Sequence, residues 1–350
     1  MKRSSAPPTP HPIDQGHPPD WAVEWGEDRY GVFASFEVEG VPQRLRWIPP
    51  GRFWMGSPEH EKGRWDDEGP RHLVELTEGF WLAETPCTQA LWQAVMGENP
   101  SRFQSPQWPV EQVSWEDCHR FFEAVEEKEP RLKCRLPTEA EWEYACRAGT
   151  EGATWAGDLE ILGANNAPLL DDIAWYGGNS GKGFDLEGGV DSSDWPEKQY
   201  DHTEAGTREV ALKERNPWGL YDMLGNVFEW CSDWKEEYPS ELQVNPAGSE
   251  RGAHRVLRGG SWRSYAQSVR AASRYWSHPA ARSDHLGVRL ALGQGRGAPA
   301  AEPLGESGRA AGVRRARDEP EPPGAGADGG GGGEVALPQS GPRGFPRSRE

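Results

Sequence analysis

Nowhere does this sequence run to the ~18–20 consecutive apolar residues that a membrane-spanning helix needs, so nothing in it reads as inserting into a membrane. Cysteine is scarce: Cys87, Cys118, Cys134, Cys146 and Cys231 are all there are, and none follows Cys231. None of the five is spaced as CxxC, the signature of a structural zinc site or redox pair. An odd number without a close pair reads as reduced, buried thiols. Basic residues are outnumbered, 38 against 56 acidic, and the net charge of −18 argues against nucleic acid or an anionic membrane as partner. Met1–Lys2–Arg3 is basic, but Pro-rich sequence follows where a signal peptide needs an apolar core, so the expected location is the cytoplasm. Hydrophobic residues make up only 35% of the chain, so large aromatics must supply much of any buried area.

Those aromatics are present. Eighteen Trp residues, many beside Gly or Pro, suit a loop-rich fold pinned by rings and turns and not a helical bundle. Residues 1–20 are rich in Pro and polar residues, and 293–350 are dominated by Gly, Pro, Ala, Arg and Glu; both read as disordered, with too little apolar surface to offset the entropy of ordering. What remains, residues 21–292, fits one large domain.

Within it, alternation and turn residues predict strands through residues 29–55 and at His72–Leu76, with a charged loop over 59–69 between them. Three helices have readable starts. Thr88 caps a helix over Gln89–Met96 that Gly97 stops. Ser114 opens Ser-Trp-Glu-Asp, a capping-box variant, and Cys118, Phe121, Phe122 and Val125 form its apolar face. Thr138 opens the capping box Thr-Glu-Ala-Glu of a helix reaching Gly149, with Trp142, Ala145 and Cys146 inward. From Gly152 to Trp218, Gly, Asn and Asp recur without period, which predicts loops carrying short elements.

Several motifs occur in order: Met55–Gly56–Ser57, Glu68–Gly69–Pro70, Asn99–Pro100–Ser101, Val113–Ser114–Trp115, Arg135–Leu136–Pro137–Thr138–Glu139–Ala140–Glu141–Trp142, Gly219–Leu220–Tyr221–Asp222–Met223 and Arg258–Gly259–Gly260–Ser261–Trp262. Together they make the chain resemble the formylglycine-generating-enzyme (sulfatase-modifying factor) family. The resemblance implies an α+β fold of the C-type lectin type, loop-rich with short strands and few helices. In that family's oxidases two cysteines and copper act shortly after the Gly-Gly-Ser-aromatic motif. Here those places fall on Ser264 and Val269, neither of which offers the soft thiolate that Cu(I) needs. Copper and the oxidase reaction are therefore not expected, and no cofactor is required.

The segment 258–292 resembles more closely a third branch, the variable proteins of diversity-generating retroelements, in which Asn codons of a template repeat are copied with errors at adenines. Placing Asn at Arg263, Ser264, Tyr265, Ser268, Ser273, Tyr275, Ser277, His278, Ser283, Asp284 and His285 restores that pattern. The residues present are Arg, Ser, Tyr, Asp and His, all reachable from an Asn codon ending in C by changes at its first two bases. Such a set has the chemistry of a paratope. Arg263, Tyr265, Tyr275, His278, Asp284 and His285 are the expected anchors. Between them, Trp262, Val269, Ala271, Ala272, Leu286 and Val288 should be core, and Arg270 and Arg289 should meet buried carboxylates or carbonyls.

The expected partner is a protein or other macromolecule, bound by a monomer. The alternatives are an oxidase-like enzyme and an inactive relative acting on sulfatases. His278 and His285, without a fixed carboxylate beside them, read as surface and not as a metal pair. Asn226 and Glu229 in Gly-Asn-Val-Phe-Glu-Trp read in two ways. By resemblance they help hold a structural Ca²⁺; by local chemistry Asn226 caps a turn and Glu229 meets an Arg.

Overall fold

The structure, a computed structural model, describes residues 19–293. Sequence expectations about 1–18 and 294–350 lie outside the described residues. In chain order the strands are β1 Glu24–Asp28, β2 Gly31–Val38, β3 Val41–Ile48, β4 Gly51–Met55, β5 His72–Leu76, β6 Phe80–Ala83, β7 Cys134–Arg135, β8 Val190–Asp191, β9 Glu204–Ala205, β10 Phe228–Trp234, β11 Gln243–Val244, β12 Arg255–Arg258, β13 Arg274–Ser277, β14 Leu286–Gly287 and β15 Ala291–Leu292. The helices are α1 Gln89–Met96, α2 Trp115–Lys128, α3 Glu139–Arg147 and the single turn α4 Leu170–Ile173. Short strands, few helices and long irregular connections make this the loop-rich α+β fold expected.

The helix starts follow their capping chemistry. Thr88 Oγ1 accepts from Leu91 N at 3.3 Å, and Gly97 ends α1 at φ 79°. Ser114 and Asp117 bond reciprocally at the head of α2, as do Thr138 and Glu141 at α3; each cap contributes about 1 kcal/mol. The sequence named three inward residues on α3, but all nine are buried, Glu139, Glu143 and Arg147 included. Buried charge persists there because it is paired. Glu143 accepts from Arg147 Nε at 2.8 Å and from Arg258 Nη2 at 2.6 Å, and Glu139 takes Arg274 in a fork at 2.6 and 2.7 Å.

A six-stranded sheet runs in the order β1-β2-β3-β6-β15-β7, and a four-stranded sheet in the order β13-β12-β10-β14. The C-terminal segment contributes to both: β12, β13 and β14 build the second sheet, and β15 fills the slot between β6 and β7 in the first. One core, containing Phe121, Trp230, Leu257 and Leu286, includes the inner faces of α1 and α2; a second gathers α3 with Met223, Val256 and Val269; a third, smaller one holds Phe103, Trp108, Trp195 and Trp262.

Cys87, Cys118, Cys146 and Cys231 are buried and Cys134 is half-buried. None is disulfide-bonded among the described residues. Burial pushes the Cys134 and Cys146 thiols up to about 12, so they are not nucleophiles at neutral pH.

Candidate binding face

The face is built from Arg258 onward. Gly259 and Gly260 sit at φ 96° and 78°, the left-handed region that glycine adopts without strain. A side chain on Gly259 would meet Met223 O at 2.9 Å as well. This turn delivers Trp262 wholly inward, against Phe103 (centroids 5.4 Å, edge-on) and stacked with Trp195 (5.8 Å). Its indole Nε1 donates to Asp284 O at 2.9 Å, tying the start of the segment to its far end.

The expected frame residues are where the sequence put them: Trp262, Val269, Ala271, Ala272, Leu286 and Val288 are all fully buried. Arg270 meets Glu68 through both its Nη atoms (2.9 and 2.5 Å) and also Glu61 (2.5 Å); Arg289 meets Glu229 at 2.8–3.0 Å.

The eleven positions divide. His278 is exposed, and Arg263, Tyr265, Ser268, Tyr275 and Ser283 are partly exposed. Ser264, Ser273, Ser277, Asp284 and His285 are buried. For these five the structure corrects the picture of eleven residues on the surface. Ser264 Oγ accepts from Ser261 N at 2.9 Å and closes a turn beneath Trp262, while Ser264 O accepts from Gly177 N at 3.0 Å. Ser277 ends β13 opposite Arg255 of β12, and Ser273, just before β13, donates its N–H to Arg270 O at 3.1 Å; both side chains are buried. Asp284 and His285, expected as anchors, instead organise the face from below.

Asp284 is the electrostatic centre. Arg102 Nη1 lies 2.9 Å from its Oδ2, Arg263 Nη1 3.7 Å from its Oδ1, and His285 Nδ1 3.3 Å from its Oδ1. Burial raises its pKa, but the His285 bond and the two guanidiniums outweigh burial and hold it down at about 2. His285 is itself pushed down, first by burial, so its ring is neutral at pH 7; Ser283 Oγ lies 2.9 Å from its Nδ1. From there ring contacts run outward: His285 to Phe228 (6.2 Å), Phe228 stacked on Tyr275 (5.3 Å), and Tyr275 to Trp276 (6.0 Å). Arg263, Asp284, His285, Phe228, Tyr275 and Trp276 thus form one continuous strip, in which Arg263, Tyr275 and Trp276 reach solvent and the other three lie beneath.

Arg102 and Glu111 were missed by the sequence reading. Arg102 follows the quoted Asn-Pro-Ser motif, but nothing in its local pattern shows that it reaches a residue 182 positions away. Glu111 is fully buried; its Oε1 accepts from Phe103 N at 2.9 Å and its Oε2 has no partner among the described residues. Burial, with help from the Asp284 charge, pushes its carboxyl up to about 8, so it is protonated at neutral pH.

Of the two readings of Asn226 and Glu229, the geometry matches the second. Glu229 Oε1 accepts from Arg289 Nε and Nη2, and its Oε2 from Arg289 Nε and Trp142 Nε1 (2.7 Å). Each carboxylate oxygen has two donors, and the adjacent guanidinium repels a cation. Asn226 Oδ1 accepts from Arg208 N (2.9 Å) and its Nδ2 donates to Arg208 O (3.0 Å), clamping one turn. Among the described residues no three His, Cys, Asp or Glu converge as metal ligands. These two side chains do not fit a Ca²⁺ ion.

This fold and this Gly-Gly-Ser-Trp frame define a class. Residues 30–293 match the family of the sulfatase-modifying factor enzyme 1-like domain, and the chain belongs to that family. It is 31% identical over 223 residues to the formylglycine-generating enzyme of Bos taurus, an alignment covering 61% of this chain and 50% of the bovine protein. The chain thus spans about half the length of that relative. Among solved structures it is similar to Treponema denticola variable protein 1, with TM-score 0.59 and 28% identity, covering 74% of this chain and 98% of that one. PvdO from Pseudomonas aeruginosa shares the fold, with TM-score 0.56 at 22% identity over 77% of this chain and 98% of that one.

Proposed function

We propose that this chain is a ligand-binding protein, with a protein as its ligand, whose binding strip is diversified by retroelement mutagenesis. The observation that carries the reading is the fit between two sets of residues. The frame residues of 258–292 are buried and paired, whereas His278, Arg263, Tyr265, Ser268, Tyr275 and Ser283, all at Asn-template positions, reach solvent on the same segment. A rigid scaffold presenting Tyr, Arg, Ser and His is how paratopes gain contact area at low entropy cost. The likeness to Treponema denticola variable protein 1, which spans nearly all of that chain, supports it further.

Two experiments test this. The DNA beside the gene should hold a reverse transcriptase and a near-copy of the 258–292 coding segment differing at adenines; finding neither removes the reading. A display library randomised at the six solvent-reaching positions, with the frame unchanged, should yield binders to unrelated target proteins. A well-folded library that yields none counts against it.

The second reading, oxidation of a sulfatase cysteine, is favoured by the bovine relative. Against it, Ser264 and Val269 stand where the thiolates would be, one closing a turn and the other in the core. Turnover of a Cys-containing sulfatase peptide with copper and oxygen would restore it.

A further inference from the structure

Arg255 opens β12, opposite Ser277 of β13 and Trp234 of β10. Its guanidinium carbon lies 3.9 Å from the centre of the Trp115 ring and 3.5 Å from that of Trp234, so the plane is held between two indoles. The residue is only 7% exposed. Nη1 donates to Ser232 O at 2.5 Å, whereas the enclosed Nε has no acceptor among the described residues.

No carboxylate among the described residues forms an ion pair with Arg255. Asp233, next to Trp234, is turned toward the start of α3, where its Oδ2 accepts from Glu139 N at 2.8 Å and Ser232 Oγ at 3.0 Å. Burial, and then Glu139, push Asp233 up to about 7, so its charge is half lost at neutral pH. Asp117, at the head of α2 beside Trp115, is taken by Arg282 at 2.6 Å. Arg258, Arg270, Arg274 and Arg289, the buried arginines of the same segment, all have carboxylates. Arg255 is the exception among these five, and a buried cation without a counter-charge is costly.

A second incomplete group lies beside it. The His119 ring is 3.9 Å from that of Trp115, and its enclosed Nε2 has no partner among the described residues. Burial and the Arg255 charge push its pKa down to about 4, so the ring is neutral at pH 7. The place is the rim of the binding strip. Trp115 N donates to Pro279 O at 3.0 Å, Ser277 lies across the strand pair, and exposed His278 falls between them in sequence.

We propose that Arg255, walled by Trp115 and Trp234 and joined by His119, is a fixed carboxylate-binding site, and that protein ligands of the strip present an Asp or Glu side chain to it. A planar guanidinium with one edge unused receives a carboxylate in bidentate fashion, and aromatic walls exclude competing water. The enclosed Nε meets a carboxylate only when the Trp234 side chain, the more exposed of the two walls, shifts aside. The site deepens the binding reading above and rests on it for its biological partner, though not for its chemistry.

The test uses the full chain, labelled with ¹⁵N at Arg and Trp side chains, titrated with N-acetylglutamate and, as neutral control, N-acetylglutamine. Expected are saturable shifts of the Arg255 Nε–H and the Trp115 and Trp234 indole N–H signals with the glutamate alone, lost in Arg255→Gln. If that variant fails to fold, His119→Ala should weaken the response several-fold in a folded chain. Equal responses to both probes, shifts confined to other residues, or an unchanged response in both variants overturn the site. Replacing Tyr275 and His278 by Ala should leave the response intact, because the site is fixed. If the display library fails while the glutamate response persists, the diversified strip falls and the Arg255 site stands. If the library succeeds and the glutamate response is absent, the Arg255 site falls alone.

Discussion

Arg102 and Asp284, 182 residues apart in sequence, meet at 2.9 Å, and this ion pair joins the loop after α1 to the segment 258–292. Arg263 and His285 close on the same carboxylate. Position 284 is therefore a buried charge hub beneath the face and not a solvent-facing residue.

Asp284→Asn should cost stability in a pH-dependent way. The folded pKa, about 2, lies below the unfolded value near 3.8. Its contribution is therefore present above about pH 4 and lost as pH falls toward 2, on the order of 2 kcal/mol. Urea unfolding of both chains at pH 6 and pH 2.5 checks this. The difference between them should shrink at the lower pH; a constant difference would contradict the assignment.

Glu111 runs the other way. Its folded pKa is raised to about 8 from an unfolded 4.5, so the folded state loses stability progressively as pH rises through that window. Glu111→Gln keeps an acceptor for Phe103 N and carries no charge. It should match the parent near pH 4 and exceed its stability at pH 8, read as a shift in the urea midpoint.

Glu229→Ala leaves Arg289 and the Trp142 indole buried without partners, and should cost about 3–5 kcal/mol. Adding Ca²⁺ or a chelator to the parent chain should leave Tm unchanged. A Ca²⁺-dependent rise that Glu229→Gln abolishes would return the metal to this position.

Exposure predicts which template positions tolerate change. Tyr265→Ser, Ser268→Tyr and His278→Tyr should each move stability by no more than about 0.5 kcal/mol. Ser264→Tyr, Ser273→Tyr and Ser277→Tyr force a ring into filled space and should cost at least ~1–3 kcal/mol. Thermal melts of the six variants separate the groups.

The helix caps at Thr88, Ser114 and Thr138 were legible because they are local: a side chain two or three residues from the N–H it accepts from needs no tertiary information. The frame residues Val269, Ala271 and Leu286 were legible from type, since small and apolar residues between polar ones point inward. The motif string likewise carried the α+β fold and the family.

Only the tertiary structure decided which polar residues of the segment face solvent. Ser264 and Ser268 are the same residue type four apart, yet one closes a buried turn and the other reaches water. Likewise Glu229 in a motif suited to calcium faces Arg289 instead, and Arg255 lacks the carboxylate that its neighbours on the segment all have. Burial and charge pairing depend on partners tens to hundreds of positions away, and no local spacing encodes them. Sequence therefore determined the scaffold, whereas packing determined which six of the eleven template positions reach solvent.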